Sequence, residues 1–122
     1  MKMLGVITFY EGMFSLDSKT FRLVAVHELA HRWDEVTGSD LTEGLVDATD
    51  GWTIDVCFTA WCYDQGDVKN RPSEYSGDTA YEDFAESVTH TIYGETAQNR
   101  GGNPTYKGSA RDVYVNAKLK SW

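Results

Sequence analysis

The stretch Val26-His27-Glu28-Leu29-Ala30-His31-Arg32-Trp33-Asp34 holds two histidines four positions apart, with a glutamate directly after the first. In a helix, residues four apart lie one above the other on a single face. Two imidazoles so placed can reach one zinc ion, and Glu28 between them can act as a general base toward a metal-bound water. The pattern arises by chance on the order of once in a few hundred chains of this length.

A catalytic zinc has three protein ligands and one open position, so a third ligand must come from elsewhere. Tyr81-Glu82-Asp83-Phe84-Ala85-Glu86 is the best source. Glu82 and Glu86 sit one turn apart on a second helix, so both can face the first. With Glu82 on the metal, Glu86 is placed to accept a hydrogen bond from a ligand imidazole, which fixes its ring orientation and tautomer. Asp34 shares the metal-facing side of the first helix and is a second candidate for that supporting role. Each acid has a plainer use. Thr79-x-x-Glu82 is also a capping-box pattern, Glu86 suits a solvated helix face, and Asp34 suits a surface or C-terminal-turn residue. His90, the remaining histidine, continues the 82, 86, 90 row but drifts off it.

The elements that must position these groups follow from periodicity. Residues 4–10 are β-branched and aromatic and predict a strand, whose edge could take an extended substrate backbone. Ser18 can cap a helix running to about Val36, with Thr37-Gly38 as its stop. Leu41 to Ala48 predicts a short helix, and Trp52 to Trp61 carries strand-like residues. The aromatics of that stretch suit a core better than a subsite. Thr79 can cap a second long helix from Ala80 to about Tyr93, stopped by Gly94. A loop over 98–108 leads to a last helix over about 109–120. No internal repeat or low-complexity tract is present.

With 122 residues, 41% apolar and 13% aromatic, the chain suits a single domain over 1–122 with a real core. Eleven Lys and Arg against nineteen Asp and Glu give a net charge of −8, which argues against nucleic acid and anionic membranes as partners. No segment reaches the length of a membrane span. The N-terminus reads as a strand and not as a signal peptide, leaving a cytoplasmic protein or a mature or excised domain. Cys57 and Cys62 have the wrong spacing for a redox or zinc pair; a local disulfide and two thiols are both open.

Together, His27-Glu28-Leu-Ala-His31-Arg-Trp-Asp34 and Tyr75-Ser-Gly-Asp-Thr-Ala-Tyr-Glu82-Asp-Phe84-Ala85-Glu86 resemble the two signatures of gluzincin metallopeptidases. The likeness is to the branch of the anthrax lethal factor catalytic domain and the Mlc titration factor A peptidases. The chain's size is nearer to the single-domain minigluzincins. The matching segments cover roughly a third of the chain. The resemblance implies zinc on His27, His31 and Glu82, Glu28 as base, and Tyr75 as the group that stabilises the oxyanion. With the strand at 4–10 it leads to an expected α+β fold: a zincin-like core with a small sheet beside the active-site helix, and a glutamate-ligand helix. The expected function is hydrolysis of a peptide or protein substrate. The alternative is a zinc-binding domain that is inactive, or latent under a C-terminal tail turned back at Gly101-Gly102-Asn103-Pro104.

Overall fold

A computed structural model of the chain describes residues 17–49, 51–53, 62–63, 71–73, 75–77 and 79–121. Helix α1 spans Ser18–Val36 and is capped by Asp17, one residue ahead of the expected Ser18; its Oδ1 accepts from the Thr20 N–H at 2.9 Å. That bond satisfies one of the donors a helix start leaves open. At the other end the Thr37 N–H returns to the Asp34 carbonyl, and Gly38 and Ser39 both turn left-handed at φ 69°.

Helix α2, Asp40–Ala48, begins immediately after this reversal. Ser39, in its left-handed conformation, makes no side-chain cap. Asp34 supplies the cap from α1 instead: its Oδ1 accepts from the Thr42 N–H at 2.9 Å, and its Oδ2 from the Thr42 hydroxyl. Asp34 lies in the C-terminal turn of α1 but is only 3% exposed, so it is not a surface residue.

Strands β1, Trp52–Thr53, and β2, Cys62–Tyr63, pair antiparallel, Trp52 opposite Tyr63. A 3-10 turn over Tyr75–Gly77 then leads to α3, Ala80–Ile92. Thr79 Oγ1 accepts from the Glu82 N–H at 3.1 Å, the backbone half of the capping box. Helix α3 ends at Ile92 with Tyr93 as its C-cap, at the expected place before Gly94. Gly94 itself opens a short helix α4, Gly94–Gln98. Helix α5 follows over Ala110–Ser121.

The buried apolar cluster is Ala30 from α1, Leu41 and Leu45 from α2, Phe84, Ala85 and Val88 from α3, and Val115 from α5. Every member is helical, and α3 is the helix on which α1, α2 and α5 all pack. This overturns the expected α+β class with a small sheet. Among the described residues the fold is helical, and β pairing is limited to two residues on each side. The physical reason is that the apolar residues recur at helical spacing, so helix faces alone enclose the core. The strand expected over 4–10, most of the strand-like stretch 52–61, and Cys57 lie outside the described residues. No helix among the described residues is long and apolar enough to cross a membrane.

Candidate metal centre

Helices α1 and α3 bring three donors together. His27 Nε2 lies 3.1 Å from His31 Nε2 and 3.5 Å from Glu82 Oε2, while His31 Nε2 contacts Glu82 Oε1. The three ligand atoms all lie within 4.8 Å of one another. One turn of helix sets the two imidazoles side by side, with ring planes at 77°. This His/His/Glu cluster can hold a metal ion. The capping-box alternative for Glu82 resolves into both uses: its backbone N–H joins the cap, while its carboxylate faces the histidines. Its Oε2 is buried and has no hydrogen-bond partner. A buried carboxylate oxygen left without a donor costs stability, and a cation at this point would remove that cost.

Glu86 stands one turn further along α3. Its Oε2 lies 2.8 Å from His27 Nδ1, and its Oε1 accepts from the Ser73 hydroxyl at 2.7 Å. His90 Nε2 lies 3.7 Å from the same Oε1. With Nδ1 donating to Glu86, His27 is left with its Nε2 lone pair turned toward His31 and Glu82, as a metal ligand requires. Burial pushes the Glu86 carboxyl upward, but hydrogen bonds from His27, His90 and Ser73 outweigh it and hold the group far below the usual carboxylate range. Burial likewise disfavours a charged His27, yet Glu86, Glu82 and Glu28 overcome it and raise its pKa.

Glu28 borders a cavity of about 390 Å³ that opens beside His27 and Glu86. Leu23, Val24 and Ala97 give it apolar walls, and Arg100 and Gly102 also line it. Gly102 is required there, because a Cβ would come within 2.8 Å of the Ala97 carbonyl oxygen and the His90 ring.

The structure therefore joins His27, His31 and Glu82, with Glu86 behind them and Glu28 alongside. The Asp34 carboxylate is engaged by Thr42. The oxyanion role expected of Tyr75 concerns a side chain outside the described set; its backbone opens the 3-10 turn against α3. Ser73 and His90 were missed as partners of Glu86. The i, i+4 spacing of Glu86 and His90 was a usable signal, whereas Ser73 carries none. Compared with known proteins, the chain matches no family model, no curated protein and no solved structure.

Proposed function

We propose that the chain is a zinc-dependent peptidase that hydrolyses peptide bonds in a peptide or protein substrate. The observation that carries this reading is that ligand atoms of His27, His31 and Glu82 lie within 4.8 Å of one another, with one Glu82 oxygen buried and unpartnered. Tetrahedral donors about 2.0–2.1 Å from a zinc ion stand roughly 3.3 Å apart. The separations of 3.1 Å and 3.5 Å from His27 Nε2 fit that shell. His27, His31 and Glu82 would hold the ion. When bound, zinc lowers the pKa of its water to about 7 and polarises the substrate carbonyl.

Glu28 follows His27 directly and faces the cavity beside the donors. Its carboxylate accepts the proton of the attacking water and later delivers it to the leaving amine. Glu86 holds His27 in the ligating tautomer through Nδ1. Tyr75, at the position the gluzincin resemblance marks, donates its hydroxyl to the developing oxyanion. Among the described residues the cluster has three protein donors. That favours an open catalytic position over the closed four-ligand site of a structural zinc.

The test is zinc content measured beside cleavage of a peptide library. The wild-type chain is expected to bind one equivalent and to cleave. Glu28→Gln is expected to keep its zinc and lose about 10²–10⁴-fold in rate. A chain that takes up no zinc overturns the reading, and full activity in Glu28→Gln removes Glu28 as the base.

A further inference from the structure

The two oxygens of Glu86 face different ways. Oε2 meets His27 Nδ1 at 2.8 Å. Oε1 accepts from the Ser73 hydroxyl at 2.7 Å and faces His90 Nε2 at 3.7 Å. A glutamate carboxylate turns over a broad range about its last torsion, so Oε2 stays aimed at His27 only while Oε1 is held. Ser73 holds it from outside α3. His90, four residues on, holds it from the same helix face.

His90 is braced on two sides. Its ring stands edge-on to Tyr106, with centroids 6.0 Å apart and planes at 69°. Tyr106 is buried and anchored, since its hydroxyl donates to the Ser87 carbonyl at 2.7 Å and lies 2.7 Å from Thr91 Oγ1. On another side the Gly102 backbone comes so near that an added Cβ would lie 2.8 Å from His90 Cε1. The Gly102 N–H donates to the Ala97 carbonyl at 3.0 Å, and the Asn103 N–H to the Pro72 carbonyl at 2.8 Å. Pro72 adjoins Ser73, so one short segment steadies both groups that hold Glu86 Oε1.

We infer that His90 is a positioning residue of the metal centre: braced by Tyr106 and Gly102, it holds the Glu86 carboxylate in the orientation that fixes His27. This role rests on the proposed zinc centre. Three contacts in series carry it: Gly102 to His90, His90 to Glu86, and Glu86 to His27. The segment after α4 is thereby tied to a ligand imidazole that it does not touch.

Zinc affinity, read by competition against a chelator, is measured beside urea unfolding of the zinc-free chain. His90→Leu keeps an apolar body and removes the nitrogen, whereas His90→Gln keeps a donor. His90→Leu should lower zinc affinity by about three- to tenfold, less than loss of a direct partner of a ligand. His90→Gln should recover most of it. Cobalt(II) in place of zinc should give an altered visible spectrum in His90→Leu and a near-wild-type one in His90→Gln, because ligand geometry sets that spectrum. The Gly102 backbone is not left-handed, so the strain in Gly102→Ala comes from the methyl group against the His90 ring and the Ala97 carbonyl. Gly102→Ala should lower zinc affinity in the wild-type background and leave it unchanged in His90→Ala, where the ring is gone. Equal zinc affinity in wild type and His90→Leu overturns the role, even where unfolding shifts. So does a loss shared equally by His90→Leu and His90→Gln, which is packing alone, or a Gly102→Ala loss that persists in His90→Ala. Each of these leaves the peptidase reading standing, whereas a wild-type chain that binds no zinc overturns both.

Discussion

Glu82 and Asp83 are neighbours in sequence on one helix, yet α3 turns them into opposite kinds of buried acid. Asp83 is fully enclosed between α5 and β1. It accepts from the Trp52 indole N–H at 2.6 Å, from Arg111 Nε at 3.0 Å and from the Ser87 hydroxyl at 3.2 Å, and Arg111 Nη2 lies at 2.9 Å. Arg111 is as deeply buried as its partner. Glu82 faces α1 and, among the described residues, meets two imidazoles, one oxygen having no hydrogen-bond donor. The first acid has its charge and lone pairs answered by the protein; the second does not. A buried charge with every partner present holds a fold together, whereas one left short of partners marks a place for something else to bind.

The sharpest way to break this comparison is to remove each acid in turn. Asp83→Ala leaves Arg111 charged and buried, and it should cost about 3–5 kcal/mol of stability in denaturant unfolding. Glu82→Ala should abolish stoichiometric zinc binding while leaving the zinc-free chain at least as stable as wild type, because it removes an unanswered oxygen. If the zinc-free Glu82→Ala chain unfolds as readily as Asp83→Ala, the two acids are the same kind of group and the contrast fails.

Glu86 sharpens it from between. Its bonds to His27 and Ser73 make it a positioning residue, so Glu86→Ala should weaken zinc affinity by about 10–100-fold, less than the loss of Glu82. Competition against a chelator of known affinity reads both. If Glu86→Ala loses more zinc than Glu82→Ala, the roles of the two glutamates are exchanged.

The smallest effect belongs to Tyr114. Its hydroxyl donates to the Leu41 carbonyl at 2.8 Å and ties α5 to α2. Tyr114→Phe should cost about 0.5–1.5 kcal/mol. Burial raises the Tyr114 phenol from 10.0 to about 12, with the charges of Asp34, Asp47 and Asp40 adding to it. A folded-state pKa above the unfolded one gives stability that is whole below pH 10 and drains away as pH rises toward 12. Thermal melts over that window should show the loss in wild type and a shallower one in Tyr114→Phe.

Local information carried most of the site. The His27–His31 spacing, the span of α1, and the Glu82–Glu86 pair on a helix capped by Thr79 are all within-helix patterns, and the structure joins them as the spacing predicts. What failed was non-local. The α+β expectation rested on strand-like residue types over short stretches, but strand pairing depends on distant partners, and the described core is closed by helices alone. Ser73 reaches Glu86 from 13 residues away through a turn that no periodicity marks. Nothing local marks Arg111 in α5, and only the approach of Asp83 across the core gives it a reason to be buried. Asp34 was expected on the metal-facing side of α1 as support for a ligand imidazole; its carboxylate instead caps α2 through Thr42, a role that depends on Ser39 taking a left-handed backbone.

That Asp34 bond has a consequence for how the molecule assembles. It joins residues eight apart in the chain, whereas the His27–Glu86 bond joins residues 59 apart. Loop-closure entropy grows with separation, so the α1–α2 corner is a cheap early structure and the docking of α3 an expensive late one. The two histidines are therefore in position before their glutamate arrives. A φ-value near one for Thr42→Ala and near zero for Ser73→Ala would record that order. By the same measure the Tyr114–Leu41 bond, 73 residues apart, closes later still, so the metal centre is completed after the α1–α2 corner and before α5 docks on α2.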